Sequence, residues 1–183
     1  IETRKNESMS AARILGVRRI ELDFPNRYIF DSVDGRKKIA FIIRQVRPEW
    51  IFTHFEFDSH PDHTEACKLT EGARFYSKLT NSDIGGEPFY PKKIIYYFPN
   101  HIKLDIQPSF CVDIDEFADT KKKILECYQS QFIKNGNGKV IDDCFIANRY
   151  FGNRIGKKFA EPFYSRESLD IVELSELFQK LSA

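Results

Sequence analysis

The segment "EWIFTHFEF", residues 49–57, constrains the fold of this chain more than any other. It is apolar on both of the faces that a strand presents, which is typical of a strand buried on both sides in a parallel sheet. An amphipathic helix is predicted before it, over 34–48, and another after it, running to about residue 78. Buried strands that alternate with helices predict an α/β layer fold with a mainly parallel sheet.

The rest of the chain continues this alternation. Further strands are predicted over 18–24, 92–98 and 108–114. Further helices are predicted over 6–17, over 115–132 and at the start of 140–164, which becomes irregular around its glycines. The stretch 168–181 fits either a short strand or a helix. At 183 residues the chain suits one domain, residues 1–183, that buries a sizeable core.

Charge and cysteine content exclude several classes of protein. The 28 basic and 27 acidic residues give a net charge of +1, so no general field attracts nucleic acid or an anionic membrane. No apolar run approaches membrane-spanning length. The four cysteines are widely spaced, without a C-x-x-C pair, which is typical of reduced, mostly buried thiols. We therefore predict a cytoplasmic protein that binds neither nucleic acid nor membrane.

The start of the chain suggests a fragment. It opens with Ile1 rather than Met, and its first dozen residues already follow a helical pattern. Nothing in the sequence precedes that helix for it to pack against. We therefore expect the chain to be truncated at its N-terminus.

The segment "DSHPDH", residues 58–63, follows the buried strand directly. Three of the four histidines of the chain fall between 54 and 63. In parallel α/β sheets, ligands bind beyond the carboxyl ends of the strands. The position of this segment alone makes it a candidate site.

Helix capping explains part of this segment without any chemistry. Ser59 suits an N-cap, Pro61 suits the first turn, and Asp62 completes an S-x-x-D capping pattern. It does not explain His60 and His63. A charged imidazole is disfavoured at the positive end of a helix, so neutral rings are expected there.

Neutral imidazoles are metal ligands, and residues three apart in a helix share a face. A carboxylate between them can accept a ring N–H and so fix which nitrogen faces the site. From the spacing alone, a metal or catalytic role and the absence of one stay equally open. His54 lies within an apolar strand, where we predict a packing role.

Several motifs together resemble a known family. "HPDH" is preceded by "R-K-x-E-x-x-x-A-A-R-I-L-G-V" and followed by "C-Y-x-S-Q-F" and "Y-F-G-x-x-I-G-x-x-F-A-E-P-F". In this order, from Arg4 to Phe163, they resemble the LmbE-like (PIG-L) family of zinc-dependent N-acetylglucosamine deacetylases. The bacillithiol-pathway branch, which deacetylates N-acetylglucosaminyl-malate, is the most similar.

This resemblance implies a Rossmann-like fold and a hydrolase that uses Zn²⁺ or another divalent metal. The metal would lower the pKa of a water and polarise the acetamide carbonyl. His63 matches the family's zinc ligand. His60 matches the histidine that, when protonated, stabilises the oxyanion and protonates the leaving amine. Asp62 matches the carboxylate that orients that histidine and keeps it cationic.

The resemblance also implies a small amino-sugar substrate and a homo-oligomer for the full-length protein. Arg4 matches an arginine of the substrate pocket, where a guanidinium can hold sugar hydroxyls or a malate carboxylate. Lys93 and His101 are further substrate-binding candidates. An exposed lysine at a strand start and a solvated loop histidine explain these two residues equally well.

One family motif is missing. The A-H-P-D-D segment that follows the family's first strand supplies a second histidine ligand, an aspartate ligand and the general base. The chain therefore offers one zinc ligand where a catalytic site normally has three. We expect this fragment to be inactive alone. The alternatives are a non-catalytic sugar- or nucleotide-binding module of Rossmann-like fold and a pseudoenzyme subunit.

Overall fold

The computed structural model describes residues 2–99, 102–134, 136–170, 172 and 175. The chain forms two compact units, each made of two stretches of sequence. The first unit comprises residues 1–23 and 110–162, and the second comprises 24–109 and 163–183. The prediction of a single domain stays a prediction.

The second unit contains the elements predicted around the buried strand. They are α2 (Val33–Val46), β1 (Trp50–His54), α3 (Pro61–Ser77) and β2 (Lys93–Tyr97). Local signals fix both ends of α2: the Ser32 hydroxyl accepts from the N–H of Gly35, and Arg47 is left-handed at φ 52°. The periodicity of the sequence thus predicted these elements correctly.

The sheet is mixed. Strands β1 and β2 are parallel, in a register that pairs Trp50 with Lys93 and His54 with Tyr97. Strand β4 (Ala160–Tyr164) runs antiparallel to β2, and the strand order is β1-β2-β4-β3, with β3 at Phe110–Asp113. The predicted α/β fold with a helix-flanked sheet is confirmed, with the antiparallel β4 as an addition.

Two apolar clusters hold the helices of the second unit in place. Ala40 and Ile43 of α2 pack with Ala73 of α3 and with Ile84. Phe55, Cys67, Ile94 and Tyr96 form the other cluster, which joins α3 to both parallel strands. Because Phe55 is buried directly after β1, the chain between β1 and α3 is anchored at its start.

The first unit contains the remaining helices. They are α1 (Glu2–Leu15), a 3₁₀ turn (Asp115–Phe117), α4 (Ala118–Glu126), α5 (Gln129–Phe132) and α6 (Lys139–Arg154). Its core brings together Ile114, Ala118 and Phe159.

Three predictions about these elements differ from the structure. Residues 18–24 form no strand although they are described, and the predicted helix 115–132 is interrupted at Tyr128, which has φ −87° and ψ 53°. Strand β4 was not predicted. Most of 168–181 lies outside the described residues. None of the described helices has the length and apolar character needed to cross a bilayer.

Candidate functional site

The candidate site is the turn between β1 and α3. Asp58 is its centre, with a carboxylate that is only 2% exposed. Its Oδ1 accepts from the backbone N–H of His60 at 3.0 Å, and its Oδ2 lies 2.7 Å from Nδ1 of His63. One buried carboxylate therefore fixes both the backbone of the turn and a ring on the helix.

The Asp58 contact determines the tautomer of His63. An ionised carboxylate only accepts hydrogen bonds, so Nδ1 of His63 carries a hydrogen, and in the neutral ring Nε2 then carries the lone pair. Metal-binding histidines commonly donate their other ring N–H to a carboxylate in this way, which fixes the ring and raises its basicity. The geometry thus prepares His63 as a ligand.

The helix cap differs from the predicted one. The N-cap of α3 is His60, at φ −92° and ψ 114°, and not Ser59. Its Nδ1 accepts from the N–H of Asp62 at 3.2 Å, as the oxygen of a serine or aspartate cap would. Pro61 occupies the first turn, where no N–H is needed, as predicted.

The same contact requires a lone pair on Nδ1 of His60. An imidazolium has no lone pair with which to accept the Asp62 N–H. The rings are also stacked: His60 and His63 have centroids 4.5 Å apart, and His54 and His63 have centroids 4.1 Å apart. Several charged rings in such a stack would repel one another. The contact is the one expected of a neutral ring at a helix start. The cationic His60 that the family resemblance implied stays a prediction.

Asp62 is buried, but its carboxylate is directed elsewhere than expected. Its Oδ2 accepts from the backbone N–H of Arg27 at 2.6 Å. The group of Asp62 that contacts the His60 ring is its backbone N–H, not its carboxylate. In this structure, Asp62 anchors the segment before α2 to the start of α3. Its catalytic role stays a prediction.

His54 has a larger part than the predicted packing role. It is only half-buried, stacks on His63 and meets the Tyr97 ring edge-on at 4.9 Å. His54, Asp58 and His63 bring one ligand atom each to within 4.8 Å of one another. Asp58 was not among the predicted site residues. His54 ends the observed strand β1, three residues before the end of the predicted strand 49–57, which is why the sequence placed it inside the strand.

Two imidazoles and a carboxylate are a donor set that Zn²⁺ and related divalent ions accept. The stacking of His54 on His63 limits how these residues can bind one metal ion together. Lone pairs lie in the ring planes, and the planes of His54 and His63 are within 15° of parallel. These lone pairs run side by side rather than towards one point. The Asp58–His63 distance of 2.7 Å is likewise shorter than the roughly 3.3 Å between two ligands of a tetrahedral zinc. Of the three residues, His63 is therefore the one that this geometry suits as a metal ligand, with Asp58 as its hydrogen-bond partner.

Tyr97 forms one wall of this cluster. Burial, with a smaller contribution from the Asp58 carboxylate, raises the pKa of its phenol to about 12. The phenol is therefore neutral near pH 7. Its ring meets that of His54 edge-on.

Two of the three predicted substrate residues, Arg4 and Lys93, are among the described residues. Arg4 is exposed on α1 of the first unit, where its guanidinium donates to the Gln131 side chain. Lys93 begins β2 and donates to the Ser168 carbonyl at 2.8 Å. The cluster lies beside Tyr97 at the other end of that strand, about 13 Å away. The substrate-binding role of Lys93 stays a prediction. His101 lies outside the described residues.

Comparison with known proteins identifies similar sequences. A family model described as "PIG-L: GlcNAc-PI de-N-acetylase" matches residues 1–73. Diacetylchitobiose deacetylase of Thermococcus kodakarensis is 29% identical over 167 residues, which is 86% of this chain and 60% of that protein. 4-Oxalmesaconate hydratase of Pseudomonas putida is 26% identical over 133 residues, 71% of this chain and 51% of that protein. The chain thus spans between half and three fifths of these curated relatives.

Solved structures resemble it over most of its length. A conserved protein of Thermus thermophilus has a TM-score of 0.83 at 36% identity, covering 93% of this chain and 76% of that one. N,N'-diacetylchitobiose deacetylase of Pyrococcus horikoshii, solved with an inhibitor, has a TM-score of 0.77 at 27% identity, covering 88% and 62% respectively.

Proposed function

We propose that this chain belongs to the PIG-L family and that the complete protein hydrolyses the N-acetyl group of a small molecule containing N-acetylglucosamine. Two findings support this reaction class: the matching family model is that of a de-N-acetylase, and one relative deacetylates diacetylchitobiose. The observation that carries the proposal is the Asp58–His63 pair at the carboxyl end of β1. A buried carboxylate holding one ring nitrogen is the support that a metal-ligating histidine needs.

His63 would hold the cation through Nε2, with Asp58 fixing the ring. A bound divalent cation supplies Lewis-acid polarisation of the acetamide carbonyl and lowers the pKa of a water molecule. A catalytic zinc site normally has three protein ligands. We propose that the remaining ligands belong to the part of the complete protein outside this sequence.

His60 would assist at the carbonyl oxygen. Because its Nδ1 accepts from the Asp62 N–H, the ring hydrogen is on Nε2. A neutral imidazole with Nε2–H is a hydrogen-bond donor, which stabilises an oxygen that gains negative charge. Asp62 contributes by fixing the helix start through Arg27.

Several finer features are part of the same proposal. We propose N-acetylglucosaminyl-malate as the substrate, Zn²⁺ as the cation, and a role for Arg4 in holding the malate carboxylate or sugar hydroxyls. The motif order of the chain supports the choice of family branch. The four cysteines form no disulfide in the structure, which is consistent with the proposed cytoplasmic location. We also propose a homo-oligomer.

The test measures acetate release by the complete, zinc-loaded protein from N-acetylglucosaminyl-malate and from N,N'-diacetylchitobiose. His63→Ala is expected to lower turnover at least about 1,000-fold and to lose stoichiometric zinc. Lys68→Ala, an exposed change on the same helix, serves as the control and is expected to keep both. Unchanged turnover and metal content in His63→Ala would refute the proposal.

A hydratase is the second candidate, because one relative is a 4-oxalmesaconate hydratase. The two reactions are separable with the same preparation. Hydration of the conjugated double bond of 4-oxalmesaconate removes its ultraviolet absorbance and releases no acetate. Turnover in this assay together with none in the acetate assay would favour the hydratase. Turnover in neither, by metal-loaded protein, would favour the non-catalytic alternatives.

A further inference from the structure

A separate group of polar side chains lies in the first unit, around an open groove of about 500 Å³. The last turns of α6 form one wall, and two lysines that follow α6 form the other. This volume lies within the range of small-molecule sites, roughly 300 to 1,000 Å³. The lining residues are Ile146, Arg149, Tyr150, Asn153, Lys157 and Lys158.

The backbone that carries the two lysines is tightly fixed. Gly152 approaches the following segment so closely that a Cβ there would lie 2.7 Å from the backbone nitrogen of Phe159. Gly156 has φ +72°, which lets the chain turn sharply after the helix. Asp115 accepts from the backbone N–H groups of Lys158 and Phe159, at 3.2 and 2.6 Å. The lysines therefore project from a preorganised turn.

The charges around the groove are only partly neutralised. Lys157 pairs with Asp113 at 2.7 Å. The guanidinium of Arg149 and the ammonium of Lys158 both lie over the Phe159 ring, 5.7 and 5.2 Å from its centroid. Within the described residues, neither of these two cations forms an ion pair with a carboxylate. Both residues line the groove, so an anion bound there would be attracted by both positive charges.

We propose that this groove binds a small molecule through its phosphate group. Two unpaired cations match the charge of a phosphate monoester, which is about −2 at neutral pH, better than that of a single carboxylate. The guanidinium fork of Arg149 suits two phosphate oxygens. Asn153 adds an amide donor. Tyr150 and Ile146, which are 60% and 66% exposed, offer apolar surface to the rest of the ligand.

The test titrates the complete protein with inorganic phosphate by calorimetry, with sodium chloride adjusted to keep the ionic strength constant. We expect saturable binding that weakens at least about tenfold in the double variant Arg149→Gln/Lys158→Gln, since both charged hydrogen-bond donors are lost. The matched control is Lys122→Gln/Lys139→Gln, which removes two exposed cations of the same unit that do not line the groove. The control is expected to bind phosphate as the wild type does.

Three results would overturn the proposal: no saturable phosphate binding by the wild type, equal loss in both double variants, or full binding by the groove variant. A further arm separates a small ligand from a lipid surface. Vesicles of phosphatidylcholine with phosphatidic acid should not sediment the protein more than phosphatidylcholine alone. Sedimentation with the acidic vesicles, without binding of free phosphate, would also overturn the proposal.

Discussion

The second unit contains two polar clusters that differ in their hydrogen-bond partners: the contacts of Arg44 and the histidine turn between β1 and α3. Arg44, only 5% exposed, donates to the carbonyls of residues 77, 79, 84 and 86 and to the Ser82 hydroxyl. All of these acceptors belong to the end of α3 and the loop after it, and none is a carboxylate. In the histidine turn, a buried carboxylate and backbone groups instead fix rings through Nδ1.

This difference separates a structural cluster from a functional one. A buried guanidinium whose donors all meet carbonyls or a hydroxyl stabilises a loop and has no capacity left for a ligand. A ring held by one nitrogen is oriented so that the other nitrogen determines its chemistry. Removing the first cluster should therefore affect folding, and removing the second should affect metal binding and turnover.

The largest expected effect is on the Arg44 cluster. Arg44→Met should lower the free energy of unfolding of the complete protein by about 3 kcal/mol or more, because several loop carbonyls lose a charged donor. Arg44→Lys keeps the charge but offers fewer donors in a different geometry. The free energy of unfolding of this variant should therefore lie between those of the wild type and Arg44→Met. Urea unfolding followed by fluorescence measures both. A loss below about 1 kcal/mol in Arg44→Met would remove the distinction between the clusters.

Asp58→Asn tests the histidine turn with little change in volume. An asparagine can still accept from His63, but it lacks the charge that raises the basicity of the ring. We expect zinc affinity to fall by about tenfold to a hundredfold, with a smaller effect on unfolding than that of Arg44→Met. Competition with a chelator measures the affinity. Asp34→Asn, at an exposed carboxylate of α2, is the control, and an equal loss there would contradict the assignment.

The sequence predicted the elements that rest on local signals. The helices α2 and α3 and the strands β1 and β2 follow from hydrophobic periodicity, and Pro61 marked the start of α3. Position at the end of a buried strand was enough to select the segment 58–63 as the candidate site. The family resemblance added the reaction class and a metal.

The features that depend on distant contacts were not predictable in this way. Strand β4 is five residues long, contains Pro162, and is defined by pairing with β2, which lies far earlier in the chain. Asp58 and His63 meet across the start of a helix, so their contact depends on the direction of the turn rather than on spacing. The His60 cap was not predictable either, because the neighbouring Ser59 has the residue type preferred at an N-cap.

The ionisation of the Cys67 thiol reports whether water reaches the apolar cluster that joins α3 to the parallel strands. Burial, and secondarily the Glu71 carboxylate 3.6 Å from its sulfur, raises the pKa of this thiol from near 9 to about 12. Above pH 9 the unfolded chain loses a proton that the native state keeps. The free energy of unfolding should therefore fall as pH rises from about 9 to about 12, by up to about 1.4 kcal/mol per pH unit from this group.

Unfolding of the wild type, Cys67→Ala and Cys127→Ala at about pH 8 and about pH 10 isolates this contribution. Cys67→Ala should show the smaller decrease between the two pH values, because the thiol that titrates only in the unfolded chain is gone. Cys127→Ala should follow the wild type. Equal pH dependence in all three proteins would mean that water reaches Cys67, and that the cluster beneath the site is less closed than its packing indicates.

The smallest effect on the free energy of unfolding is expected from an ion pair that, like Arg44, joins α2 to the loop after α3. Lys37 of α2 pairs with Asp83 of the loop at 2.6 Å, but the two side chains are 36% and 72% exposed. Exposed pairs gain little because water screens them and two mobile side chains must be ordered. The free energy of unfolding of Lys37→Ala should equal that of the wild type within experimental error. Any difference between the two should vanish in about 1 M salt, where the Debye length is about 3 Å. A loss as large as that of Arg44→Met would show that the α2–loop contact depends on charge in general, and not on the saturation of one buried guanidinium.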